Sequence, residues 1–424
     1  MFFAGTLSSA EKPELPKRME VVRFEMASVI GVSAAVSQLG NCIAPNFKDS
    51  VALFTVALTV GGTAFGMDPT RPVSIVFYKV GDKPSMQITA YAIPDVRVIK
   101  DKVTLWNMKF HARLEKGLVT LSTEDLLSDP VPVSAPGKRL SGSLLVMEAF
   151  PDKIDFLFTS LDDKKKSHGI LFRALDELMC EVDVLRLSFR TDDNSLVIKL
   201  SVQARKNSAL ESYLSKPLPE KGAIETYAGA SSLLLFRLPP SESLYRHGEA
   251  YFFRNRQNAL LPLLPSAVTG FAVLCFERDI VQSSAKLMLG IRPEQVSGIA
   301  STASGLGYTP YPNLFQVTKN PPLFCSASGK RLVFYYTSAL EKDSLEDLLK
   351  PIPLSLDAGE SPFAFYDLSH PDRPIADLRF KGNTAEMIFR APAEWFASLS
   401  PLLNVPLHKI GLPSNLRNET AEEY

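Results

Sequence analysis

Apolar and polar residues alternate strictly over 184–190 (VLRLSFR). Leu185, Leu187 and Phe189 share one face; Arg186, Ser188 and Arg190 share the other. After Thr191-Asp192-Asp193-Asn194 the alternation resumes, with Leu196, Ile198, Leu200, Val202 and Ala204 opposite Lys199, Ser201, Gln203 and Arg205. Period two on both sides of turn-forming residues predicts an antiparallel hairpin with one wet face. Ser208-Ala209-Leu210-Glu211 follows as a capping box and predicts a short helix.

The arrangement recurs. Residues 375–380 lead through Lys381-Gly382-Asn383 into alternating Ala385, Met387 and Phe389, and Pro392-Ala393-Glu394-Trp395 then reads as a helix start. A third hairpin is expected over 270–291, turning near Glu277-Arg278-Asp279 and followed by a helix opening at Pro293-Glu294-Gln295. A fourth spans 73–93 and turns at Gly81-Asp82-Lys83-Pro84. A different hairpin, FHARLEKGLVTLST at 110–123, aligns without gaps on FCSASGKRLVFYYT at 324–337, an offset of 324 − 110 = 214. Residues 143–147 align in the same way on 362–366. The common element order implies an internal duplication. Its halves are 11–216 and 227–413, each opening with a strand (21–24 and 232–238). They are joined by 217–226 within the Pro- and Gly-containing stretch SKPLPEKGAIET, and 414–424 forms a flexible tail.

Helices are expected between these strands. Residues 26–47 and 50–67 carry no Asp, Glu, Lys or Arg apart from the Lys48-Asp49 break between them. Their length admits a membrane span, but Ser28, Ser33, Ser37, Gln38, Asn41, Pro45 and Gly61-Gly62 favour a buried helical hairpin. Ile170, Leu171, Ala174, Leu175, Leu178 and Met179 form one apolar stripe of a further helix. Hairpins without regular strand–helix–strand alternation predict an α+β fold, each half an antiparallel sheet with helices on one face.

Composition narrows the function. The chain has 424 residues, 46% of them hydrophobic, with 46 Lys plus Arg against 46 Asp plus Glu. Zero net charge speaks against a general nucleic-acid binder. Residues 1–10 (MFFAGTLSSA) end with Ser8 and Ala10 in the spacing of a signal-peptide cleavage site, although a basic start is missing; an apolar frayed terminus is the other reading. Cys42, Cys180, Cys275 and Cys325 are too far apart for a zinc motif. They suit buried thiols, or disulfides in an oxidising compartment.

Catalytic motifs do not emerge. There is no GxGxxG and no GxSxG, and Gly61-Gly62-Thr63-Ala64-Phe65-Gly66 is followed by Met67-Asp68 where a phosphate loop needs Lys-Ser/Thr. His111, His168, His247, His370 and His408 form no metal-ligand spacing. The richest polar cluster is Arg246, His247, Glu249, Arg254 and Arg256. Its arginines offer forked donors to an anion, and a solvated loop is the competing reading. Asp68-Pro69-Thr70-Arg71-Pro72 reads as a rigid turn, with Arg71 near Asp68.

The Phe65-Gly66-Met67-Asp68 and Arg71-Pro72 signals before a strand, with the hairpins leading into short helices, resemble large uncharacterised secreted or envelope proteins of bacteria with two similar α+β halves. That resemblance implies location and architecture only. The expectation is a non-enzymatic extracytoplasmic binding or scaffold protein, without cofactor or transmembrane span, its partner a protein or an apolar small molecule. A carrier of an apolar ligand in a sheet-lined cavity and an enzyme with a site assembled from distant carboxylates are the alternatives in function, and the cytoplasm is the alternative to a periplasmic or secreted location.

Overall fold

The computed structural model describes residues 18–34, 59, 63–80, 83–96, 101–105, 108–123, 135–151, 179–192, 195–220, 222–239, 263–277, 284–308, 313–319, 322–328, 330–337, 348–356, 361–369 and 374–392. The chain divides into two compact units, Met1–Ser37 with Asn46–Lys166 and Gln38–Pro45 with Ser167–Tyr424. The main division thus falls upstream of the 217–226 connection.

Among the described residues of the first unit, seven strands are present: β1 (Arg18–Met26), β2 (Val73–Val80), β3 (Lys83–Tyr91), β4 (Lys102–Leu105), β5 (Met108–Glu115), β6 (Leu118–Ser122) and β7 (Leu145–Ala149). They pair antiparallel in the order β4-β5-β6-β3-β2-β1-β7. The β5–β6 connection is the two-residue turn Lys116-Gly117, with φ of 52° and 74°. Positive φ at both central positions is the hairpin turn whose twist matches the strands, and glycine is favoured there. One face gathers the core: Met26, Val73, Met86, Ile88, Ala90, Phe110, Val119 and Leu121.

The second unit contains β8 (Val182–Asp192), β9 (Ser195–Ala204), β11 (Ser232–Arg237), β12 (Val268–Phe276), β13 (Ser284–Ile291), β14 (Gly307–Tyr308), β15 (Phe315–Lys319), β16 (Pro322–Ser328), β17 (Arg331–Thr337), β19 (Phe363–Asp367), β20 (Ala376–Lys381) and β21 (Thr384–Pro392). Their antiparallel order is β8-β9-β21-β20-β19-β11-β12-β13-β17-β16-β15-β14. The run β15-β16-β17-β13-β12-β11-β19 repeats the order of the first unit strand for strand. A separate ribbon of β10 (Glu225–Thr226) and β18 (Ile352–Pro353) completes the set.

The α+β expectation is overturned: both units are predominantly antiparallel β. Among the described residues, the helices named in the second unit are short: α1 (Ala209–Leu214), α2 (Leu264–Ala267) and α3 (Val296–Ser304). A helix of six residues is only about 9 Å long, whereas twelve strands spaced about 4.8 Å apart extend on the order of 50 Å. Such helices cannot form a covering layer. The same strands are instead buried on both faces. Val273, Cys275, Met288 and Tyr335 face one cluster, closed by Ile224, Tyr227, Leu348 and Leu356. Ile291, Cys325, Leu332 and Phe334 face another, against which Ile299 and Ala303 of α3 pack.

Two anticipated helix starts are present. Ser208 caps α1, its Oγ accepting the Glu211 N–H at 3.1 Å, and Glu181 accepts the Leu210 N–H at 2.6 Å. Pro293–Gln295 form a 3₁₀ turn leading into α3. Residues 29–34 are helical. Most of the expected 26–47 and 50–67 hairpin, the 170–178 stripe, the helix after Pro392, the tail and residues 1–10 lie outside the described residues. Among the described residues, no helix is long and apolar enough to cross a membrane.

Candidate functional site

A row of side chains crosses each sheet. In the first unit Phe24 pairs with Met147 and Ile75, Ile75 with Ile88, and Ile88 with Leu121. In the second, Leu233 pairs with Tyr366 and Cys275, Cys275 with Lys286, and Lys286 with Tyr335. The match of 110–123 with 324–337 sets Leu121 on Tyr335. Following the ladders from there reaches Met147 and Tyr366, a pair that the separate match of 143–147 with 362–366 also sets on each other. The rows are therefore equivalent in position. Cys275, Lys286 and Tyr335 stand where the first unit has Ile75, Ile88 and Leu121.

Lys286 is only 2% exposed, a fully buried cation in an otherwise apolar row. Its Nζ lies 5.9 Å from the centre of the Tyr335 ring. Burial lowers its pKa from the ordinary lysine value, Arg331 adds to this, and Glu225 and Cys275 oppose it. The β10 ribbon lies over the row. The Cys275 thiol donates to the Glu225 carbonyl at 3.4 Å, and the Glu225 carboxylate accepts from Arg331 Nη1 at 2.8 Å. Burial pushes Cys275 and Cys325 up to about 11 and raises Tyr335. Beside the ribbon, Tyr227 donates its hydroxyl to the Ser284 carbonyl at 2.5 Å. Cys180, Cys275 and Cys325 are free thiols, and Cys180 is exposed.

The face shared by β8, β9, β21 and β20 is charged. The ladders set Arg186, Ser201, Glu386 and Arg379 in one row and Ser188, Lys199, Ile388 and Asp377 in the next. Glu386 accepts from Lys199 at 2.7 Å and from Lys381 at 2.8 Å. Asp377 accepts from Arg379 at 2.6 Å and from Arg390 at 2.8 Å. The carboxylates are sunk, with side chains 14% and 1% exposed, while Lys199, Arg379 and Lys381 stand at 41%, 52% and 61%. Burial raises the Glu386 pKa, but the two lysine hydrogen bonds and charges outweigh it and leave the carboxyl below its ordinary value.

Other polar contacts tie neighbouring segments together. Glu25, 3% exposed, accepts the Gly137 and Arg139 N–H groups at 3.2 and 3.1 Å and so ties residues 137–139 to β1. Asp68 accepts the N–H and hydroxyl of Thr70 at 2.9 and 2.6 Å, bonds that lower its pKa. Arg71 lies over the Tyr91 ring, 3.6 Å from its centre. Arg246, His247, Glu249, Arg254 and Arg256 lie outside the described residues. His111 is on β5 opposite Lys102 and Ser122. Among the described residues, no group of three or more His, Cys, Asp or Glu side chains is placed to hold a metal ion.

Lys286 escaped sequence reasoning because SAKLMLGI assigns it to the face opposite Leu287 and Leu289, a face read as wet. Its correspondence with Ile88 emerges only from the strand register. Comparison with protein-family models, with curated proteins and with solved structures finds no match.

Proposed function

We propose that the chain is a non-enzymatic extracytoplasmic binding or scaffold protein, built by duplication of one antiparallel unit. It takes a protein partner with an acidic surface on the β8-β9-β21-β20 face. The carrying observation is the vertical separation of charge on that face. Lys199, Arg379 and Lys381 reach solvent, and their carboxylate partners Glu386 and Asp377 lie beneath them. A partner approaching the sheet meets cations first, although the chain as a whole has no net charge. The aromatic side chains Phe189, Phe380 and Phe389 alternate onto the opposite face, leaving no stacking platform for bases among these strands. The repeated strand order supports the duplication, and Ser8 and Ala10 support export.

The test is partner capture with wild type and with the variant Lys199→Glu/Arg379→Glu/Lys381→Glu, both checked for folding by circular dichroism. A partner identified on wild type should bind the variant at least about tenfold more weakly and lose affinity with added salt. Unchanged affinity on a folded variant would remove this face from the reading. Binding of single-stranded DNA through the same residues would replace the protein partner. Cell fractionation checks the location.

A further inference from the structure

We infer that Lys286 and Arg331 form a binding site for a small oxyanion, carboxylate or phosphate, and that the Glu225 carboxylate is its internal occupant. This is independent of the surface proposed above. Lys286 and Arg331 point to the same side of the sheet, because Tyr335 pairs with Lys286 and Arg331 with Gly290, an even number of residues along both strands. Glu225 reaches that side from a ribbon only two residues long, bonds directly to Arg331, and supplies the negative charge that opposes the loss of the Lys286 proton. Arg331 and Glu225 are 37% and 26% exposed, so solvent reaches one end of the arrangement while Lys286 closes the other.

A buried lysine in a sheet core costs stability, and the equivalent position holds isoleucine. Local violations of this kind concentrate at functional sites. A second observation points the same way. The hydroxyl of Thr226, 7% exposed in the same ribbon, is buried beside the Cys275 thiol, which it holds lower than burial alone would, and it has no other partner among the described residues. An oxyanion that takes the place of the Glu225 carboxylate receives the Arg331 donors, the Lys286 charge and that hydroxyl. The ribbon must then move away from the Cys275 thiol.

Inorganic phosphate is the probe, titrated calorimetrically into the full chain at constant ionic strength with chloride as reference. Glu225→Gln removes the internal competitor and should bind phosphate at least about tenfold more tightly than wild type. Adding Lys286→Met to that variant should abolish the gain. Equal affinity of wild type and Glu225→Gln, or a gain that survives Lys286→Met, overturns the assignment. If Glu225→Gln does not fold, amide hydrogen exchange of wild type decides. Phosphate should speed exchange at Thr226 and Ile352 relative to chloride, and unchanged exchange overturns the site.

Discussion

Lys199 and Ile388 face each other across the β9–β21 ladder. They are 388 − 199 = 189 residues apart, the separation of the turn centres at 193 and 382. The ladder runs from Ser195 opposite Pro392 to Gln203 opposite Thr384. Each end of one strand therefore meets the opposite end of its counterpart, which is a local two-fold relationship. The pairing has an energetic reason. Left open, the edges of β9 and β21 would each present unpaired N–H and C=O groups that invite association. Joining the two edges satisfies both and creates the continuous charged face.

The first prediction contrasts two neighbours on β9. Leu200 packs between Leu187 and Met387, so Leu200→Asp places a charge among apolar side chains and should cost about 3 kcal/mol. Alternation alone predicts almost no effect for Lys199→Asp. The structure raises that expectation to about 1 kcal/mol, because Glu386 loses one cation and gains a like charge while keeping Lys381. Denaturant unfolding of both variants checks the order; a larger loss at Lys199 would contradict the assigned faces.

Capping of α1 gives the second. Ser208→Ala removes the acceptor of the Glu211 N–H and should cost about 1 kcal/mol. Glu211 reaches back to the Asn207 N–H at 2.5 Å, one residue before the cap, so Glu211→Ala should also destabilise. Thermal unfolding of the two variants and their combination reads whether the losses are coupled.

Those elements show what was legible. Hairpins announced themselves through period two and charged turns, and the α1 cap through Ser208 and Glu211. The pairing of β9 with β21 was not legible, since no local pattern states which edges meet. The fold class is not legible in the alternation because an alternating strand implies one wet face, whereas β13 carries Met288 into one cluster, with Lys286 buried on the same side, and packs Leu287 and Leu289 against another. The candidate oxyanion site depends on Glu225, Lys286 and Arg331 together. Residues so far apart converge only through register.

Two glycines should respond in opposite directions. Gly270 has φ of 90° at a register shift in β12, and an added Cβ would lie 2.0 Å from the Leu238 carbonyl oxygen. Gly270→Ala should cost about 3 kcal/mol or more, from both the backbone region and the collision. Gly298 lies exposed within α3 with open space where a Cβ would go. Gly298→Ala should stabilise by about 0.5–1 kcal/mol through helix propensity. Urea unfolding of both variants checks the pair.

The last prediction concerns Lys286 and pH. Its folded pKa lies below the unfolded 10.5, so the folded chain releases this proton more readily. The penalty of the buried charge is present at neutral pH and is relieved as pH rises through the folded value toward 10.5. Cys275 and Cys325 behave oppositely. Burial raises them from 9.0 to about 11, so their contribution is complete below 9.0 and is lost as pH rises through about 11. Lys286→Ile copies the first unit and leaves Arg331 to hold Glu225. At about pH 7 this variant should be at least as stable as wild type, with a gain on the order of 1 kcal/mol. Toward alkaline pH the relief at Lys286 is gone while the thiol losses remain, so the variant should lose stability more steeply than wild type. Urea unfolding under reducing conditions, from neutral to alkaline pH, measures both effects. A large loss at neutral pH, or parallel pH profiles, would show that Lys286 does not carry a buried charge penalty.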